Sequence, residues 1–216
     1  MSAIKIDSLN KLEQLCQQFM EKQPIHDSAH DINHIKRVVN NAKLIAEQEQ
    51  ADLWVVIAAA WLHDCVTYPK NHPDNKFASQ KAGDAAVMFL QEHGFPAKKL
   101  EAVKHAVAAH SYSANIKVES LEAQVVQDAD RLDGLGAIGI ARCFNVAGKL
   151  QSKIYAEDDP FCENRQPDSK LAAVDHFYEK LFKTADTLGT SAAKAMGKQR
   201  IEFMQLYLQQ LRTEIG

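Results

Sequence analysis

Residues 52–64 read DLWVVIAAAWLHD. From Leu53 to Leu62 the run is apolar on every side of a helix, the pattern of a segment enclosed by other helices rather than one lying on a surface. Such a segment needs neighbours all round, and its far end, AWLHDCV (60–66), carries His63 and Asp64 side by side. Taking an unpaired carboxylate out of water costs several kcal/mol, so Asp64 requires a hydrogen-bond partner, an opposite charge or a metal.

Helical periodicity supplies the neighbours. Residues 8–22 place Leu9, Leu12, Leu15, Cys16, Phe19 and Met20 on one stripe that Pro24 ends. Asp31 is a plausible N-cap for a helix running to about Gln50, with Ile32, Ile35, Val38, Val39, Ala42 and Ile45 inward. After the loop YPKNHPDN a helix spans Phe77 to Glu92 and closes at Gly94; Pro96 opens another. In that next helix Leu100, Val103, Val107 and His110 share the inward stripe, whereas His105 falls about 140° away on the outer face. A long buried helix is expected from Ser120 to Gly148. The polar stretch QSKIYAEDDPFCENRQPDSK, with two prolines, reads as a loop over about 151–168, long enough to cover a site. Two amphipathic helices close the chain: 169–188, with Leu171, Val174, Tyr178 and Leu181 inward, and 190–215, with Ile201, Met204, Leu208, Leu211 and Ile215 inward. No repeat, linker or strand pair emerges. The expected architecture is all-α, a single domain over 1–216 with a helical core over 8–148.

Composition narrows the function classes. A net charge of -3 over 216 residues gives no general electrostatic grip on a nucleic-acid polymer, although a local basic pocket for a small anion is compatible with it. The N-terminal MSAIKIDSLN lacks a charged-then-apolar signal pattern, and no apolar run is long enough to span a bilayer, so a cytoplasmic location is expected. Cys16, Cys65, Cys143 and Cys162 are scattered without a C-x-x-C pair and read as reduced thiols. The amphipathic final helix suits a homodimer interface as readily as a core.

Partners for the His-Asp pair are found among inward polar residues. His34 lies one turn into its helix, with His30 and Arg37 on the same flank. On the later buried helix, Asp128, Asp130 and Asp133 crowd into a mostly apolar stretch with Arg131 between them. A histidine from one helix, the His63–Asp64 pair from a second and an aspartate from a third form a mixed nitrogen and oxygen set suited to a divalent transition metal with open positions. Asp128 and Asp130 stand about 200° apart around a helix and do not readily share one ion. Periodicity leaves both open: Asp128 extends the stripe of Leu121, Val125 and Leu132, and Asp130 that of Val126, Asp133 and Ala137.

The ordered segments HDINHIKRV (30–38), WLHDCV (61–66) and QDADRLDGLGAIGIAR (127–142), with AHSYS (109–113) and HFYEKL (176–181), resemble the HD-domain superfamily of metal-dependent phosphohydrolases, in particular its small stand-alone bacterial members. The resemblance covers most of the chain. It implies an all-helical fold around one divalent ion (manganese, nickel, cobalt, iron or magnesium, with a transition metal favoured by the imidazoles) held by His34, His63, Asp64 and one later aspartate. The family's A-D-x-L setting matches Ala129 to Leu132 and selects Asp130; Asp128 is then expected to pair with Arg131 or Arg142. The implied activity is hydrolysis of a phosphate ester or phosphoanhydride, with a nucleoside or deoxynucleoside triphosphate, cleaved to monophosphate and pyrophosphate, as the favoured substrate. Asp64 would serve as ligand and as acceptor for the attacking water. Arg37 would hold the phosphate because a guanidinium fork matches its geometry, and His110 would act in catalysis, in phosphate binding or as a ligand of a second metal. Some members carry a glutamate shortly after the HD pair; this chain reads HDCVTYPKN, with no acidic residue before Asp74. That departure weighs against simple nucleotidase chemistry and keeps a non-catalytic metal- or nucleotide-binding regulatory module in view; a 5'-nucleotidase or phosphodiesterase of the same fold is the other alternative. Cys65 reads as packing, and His26, His72, His93 and His176 as surface or loop residues.

Overall fold

The computed structural model describes residues 5–23, 31–68, 72–111 and 114–216. It is all-α, with one isolated bridge, Lys153 to Ala172, and no strand among the described residues. The chain divides into two compact units, residues 1–130 and 131–216.

In the first unit, α1 (Leu9–Met20), α2 (Ile32–Glu49), α4 (Ala78–Glu92) and α5 (Leu100–Ala109) pack against α3 (Leu53–Leu62). Every residue of α3 from Val55 to Leu62 is buried, as its all-round apolarity requires. Full burial of each large aliphatic side chain stabilises the fold by roughly 1.5–3 kcal/mol, so this helix anchors the unit. Its start is set by Asp52, whose carboxylate accepts from Trp54 N at 3.0 Å and also pairs with Lys99. Helix α2 begins as expected at Asp31, whose side chain accepts from His34 N at 2.9 Å, and ends at Gln50 in the left-handed conformation. Short 3-10 turns, Pro73–Phe77 and Ala97–Lys99, precede α4 and α5. The chain then enters α6 (Leu121–Asp133), which crosses the boundary between the units.

The second unit departs from the expected single helix over 120–148. That segment is two helices, α6 and α7 (Gly136–Lys149). Gly136 adopts φ +69°, open to glycine at little cost, and a Cβ on Gly139 would stand 2.2 Å from the Gly134 carbonyl oxygen. The glycines of DGLGAIG thus make the corner, while the apolar period running through both helices conceals it in the sequence. Helix α7 packs on α8 (Ala173–His176) and on α10 (Ser191–Ile215). Between them, a π-helical turn (Phe177–Leu181) joins α8 to α9 (Phe182–Ala185). The expected helix over 169–188 therefore starts later, leaving Leu171 in a turn and 42% exposed. The wider π turn also rotates the buried face, so that Phe177 is fully buried and Tyr178 only partly. In α10, Met204 and Leu208 are buried, but Ile201, Leu211 and Ile215 are half-buried.

The loop over 151–168 is tied to itself. Asp159 accepts from the amides of Glu163 and Asn164 at 2.9 and 2.7 Å, and Arg165 donates to the Asp159 carbonyl. All four cysteines are free thiols. Among the described residues, no helix is long and apolar enough to cross a membrane.

Candidate metal centre

Five side chains of the first unit converge from four helices. His34 sits in the first turn of α2, its own amide held by the capping Asp31. His63 ends α3, and its Nδ1 is 2.8 Å from the Ala60 carbonyl oxygen. Asp64 follows as the chain leaves the helix, which lets two adjacent side chains turn toward one point. His110 ends α5 in the same way, with Nδ1 2.6 Å from the Val107 oxygen. Asp130 comes from α6, which is tied to its neighbours by two buried side-chain amides: Asn41 donates to Ala129 O at 3.3 Å, and Gln127 to Ala109 O at 2.9 Å.

The reactive atoms face one another. His34 Nε2 lies 3.4 Å from Asp130 Oδ1 and 3.9 Å from Asp64 Oδ2; His63 Nε2 lies 3.4 Å from Asp64 Oδ2; and His110 Nε2 lies 3.6 Å from Asp64 Oδ1. Two overlapping donor sets result, His34–His63–Asp130 and His63–Asp64–His110, each with its donor atoms within 4.8 Å of one another. The imidazoles are buried, whereas Asp64 and Asp130 keep 17% and 31% of their side-chain surface, so the centre opens to solvent through its carboxylates. Burial works against charge on Asp64, yet the imidazoles of His63 and His110 outweigh it and hold the carboxyl well below its usual range. Burial likewise opposes an imidazolium at His63, but Asp64 and Asp130 push its pKa up to about 9.

This arrangement fits a metal. With Nδ1–H donating to Ala60, a neutral His63 presents the Nε2 lone pair, and that fully buried nitrogen has no hydrogen-bond partner among the described residues. A backbone carbonyl holding the far nitrogen of a ligating histidine is the usual way such a ring is oriented. Separations of 3.4–3.9 Å are too long for good hydrogen bonds, but donors roughly 2.0–2.2 Å from a shared ion stand at about such distances from each other.

The other candidates fall elsewhere. Asp128 is fully buried and accepts from Gln124 Nε2 on its own helix at 2.9 Å; it belongs to neither donor set. Arg142 pairs with Asp133 Oδ2 at 2.7 Å, and Arg131 donates to Thr187 O at 2.6 Å. Arg37 is half-buried on α2, three residues beyond His34. His105 is outside the cluster, its Nε2 accepting from Glu119 N at 3.0 Å. Cys65 packs against α4, with Sγ 3.4 Å from Ala82 O, and burial pushes its thiol up to about 12, which leaves it inert. His26, His30, Tyr112 and Ser113 lie outside the described residues. Sequence reasoning missed Asn41 and Gln127. Their signal was a polar amide within an otherwise apolar face, Asn41 two turns after His34 and Gln127 three residues before Asp130.

A helical fold whose interior gathers imidazole and carboxylate donors for a divalent cation defines a metal-dependent hydrolase of the HD type. The HD domain family model matches residues 31–135, and the chain belongs to the HD-domain superfamily. It is 32% identical to YpgQ of Bacillus subtilis over 193 residues, 87% of this chain and 85% of that protein. The crystal structure of Bacillus subtilis YpgQ in complex with ADP superposes with a TM-score of 0.68 at 30% identity, covering 95% of this chain and 94% of that one. An HD-superfamily hydrolase from Bacillus thuringiensis gives a TM-score of 0.72 at 32% identity over 95% of each chain.

Proposed function

We propose that the protein hydrolyses a phosphoanhydride of a nucleotide, with a nucleoside or deoxynucleoside triphosphate cleaved to monophosphate and pyrophosphate, and that His34, His63, Asp64 and Asp130 hold the divalent ion this needs. The observation that carries the reading is the convergence of imidazole and carboxylate donors on the buried Nε2 of His63, which makes no hydrogen bond among the described residues. The imidazoles favour a transition metal such as manganese, nickel, cobalt or iron over magnesium. The ADP complex of Bacillus subtilis YpgQ supports a nucleotide as the phosphorylated ligand.

A bound divalent ion supplies Lewis-acid charge and acidified water at neutral pH. The chain's own residues do the rest. Asp64, as a ligand of that ion, would also accept a hydrogen bond from the attacking water and so orient it. Asp64 divides its oxygens: Oδ2 faces His34 and His63, and Oδ1 faces His110. His110 thereby stands beside the reacting centre, able to bond a phosphoryl oxygen or the leaving group. Arg37, one turn beyond His34, offers its guanidinium fork to the remaining phosphate oxygens. The missing acidic residue between Asp64 and Asp74 fits an anhydride better than a simple monoester, because a pyrophosphate leaving group needs less help from a general acid.

The test is incubation of metal-loaded protein with a panel of nucleotides, products being read by phosphorus NMR. Pyrophosphate and monophosphate are expected, where release of orthophosphate would mean cleavage at the terminal position. Asp64→Ala should lower turnover by roughly 10³-fold or more. Equal turnover by the two proteins removes the mechanism and leaves the regulatory-module reading.

A further inference from the structure

Beyond Asp64 the chain builds a small aromatic shelf that the metal chemistry does not use. Tyr68 and His72 stack, ring centroids 4.6 Å apart and planes 14° from parallel. The pair is fastened to α4 rather than left on a loose loop. Lys81, in that helix, donates to Tyr68 Oη at 3.1 Å and to Asp74 Oδ2 at 2.8 Å. Asp74 N in turn donates to His72 Nδ1 at 3.1 Å. On the metal side, Cys65 anchors the same segment through Ala82 O. His72 is exposed and Tyr68 half-buried, so the stack serves no core. Because Nδ1 accepts, a neutral His72 carries its proton on Nε2 and so presents both a ring face and a donor edge. The Cα of Tyr68, four residues after Asp64, lies within about 14 Å of the Asp64 Cα even at full extension, a span that suits a base whose phosphates sit at the metal centre.

We propose that the His72–Tyr68 stack is the seat of the substrate's nucleobase, a flat aromatic ring layered on the His72 face. This assignment rests on the nucleotide reading above and adds the part of the site that distinguishes a nucleotide from bare polyphosphate. Stacking tolerates any base, so the shelf predicts a preference for nucleotides over pyrophosphate without strong discrimination among bases.

The experiment is calorimetric titration of metal-loaded protein with ADP and, separately, with pyrophosphate. His72→Asn keeps a side-chain acceptor for the Asp74 amide and removes the ring; Tyr68→Leu removes the supporting face. Each should weaken ADP about tenfold and leave pyrophosphate unchanged. Equal losses for both ligands, or no loss of ADP affinity, overturn the proposal. Turnover is read separately. Wild-type protein that prefers ADP through His72 yet cleaves no nucleotide supports the shelf and removes the hydrolase reading. Wild-type protein that cleaves nucleotides but binds ADP no better than pyrophosphate removes the shelf alone.

Discussion

Asp64 in the first unit and Asp175 in the second are both carboxylates set among apolar helices, and the chain treats them in opposite ways. Asp175 is 0% exposed and saturated by protein: Arg165 reaches it with both terminal nitrogens at 2.5 and 2.7 Å, and Asp168 N donates at 2.7 Å. Asp64 is ringed by three imidazoles at 3.4–3.9 Å, none at good hydrogen-bonding distance. A buried charge whose partners touch it is internally neutralised; one whose partners stand back by the width of an ion invites a cation. The difference separates a structural carboxylate from the one proposed as a ligand without recourse to family.

The strongest way to break this contrast is at Asp175. Arg165→Ala leaves a fully buried carboxylate with only the Asp168 amide and the Cys162 thiol beside it, and loss of one partner of a buried pair costs about 3–5 kcal/mol. The expected result is a fall of that size in unfolding free energy by urea titration, with metal binding retained in the folded protein. A loss below about 1 kcal/mol would mean that Asp175 is not the internally neutralised charge described.

The second test acts on the other carboxylate. Divalent metal at 100 times its Kd should raise stability by about 2.7 kcal/mol, because the ion binds only the folded state. Chelation should reverse the gain, and His63→Ala should abolish it while Arg165→Ala keeps it. A thermal shift of equal size in His63→Ala would place the ion elsewhere.

How much of this could be read from the sequence depends on whether a residue's role is local. Helix α3 was legible because apolarity on all faces has one solution, and the Asp31 cap because its signal lies within four residues. The His63–Asp64 pair was legible because ionisable neighbours in such a run demand a partner. Periodicity could not choose between Asp128 and Asp130, since a helix apolar all round lets either point inward; the structure puts Asp130 beside His34 and gives Asp128 to Gln124. The corner at Gly134–Gly136 was hidden because it interrupts the backbone and not the apolar pattern. Likewise the π turn at Phe177–Leu181 adds a residue to one turn, and no composition rule announces it.

Asn41 sharpens the comparison at a smaller scale. Its amide fixes the carbonyl of Ala129, the residue before Asp130, and so sets the reach of α6 toward His34. With Asp130 as the proposed ligand, Asn41→Ala should lower metal affinity by about 10- to 100-fold, the usual effect of releasing a residue that orients a ligand. Calorimetric titration with manganese measures it, and unchanged affinity would show that α6 holds Asp130 without help.

The smallest expected effect is a pH dependence, and its sign follows from the same contacts. Burial opposes ionisation of Asp175, but the Arg165 fork and the Asp168 amide outweigh it and hold the carboxyl below its usual value. An unfolded chain takes up that proton near the ordinary aspartate value of about 3.9, while the folded chain resists until lower pH. The contribution to stability is therefore complete above the unfolded value and disappears as pH falls through the folded one. Asp175→Asn, which cannot titrate, should be less stable than wild type by a constant margin from neutrality to about pH 5, and the margin should close in more acid solution. Urea midpoints of the two proteins at successive pH values read it directly. A margin that stays constant to the acid end would show that the fork leaves the carboxyl unshifted, and with it would go the distinction between a carboxylate the protein neutralises and one it reserves for a cation.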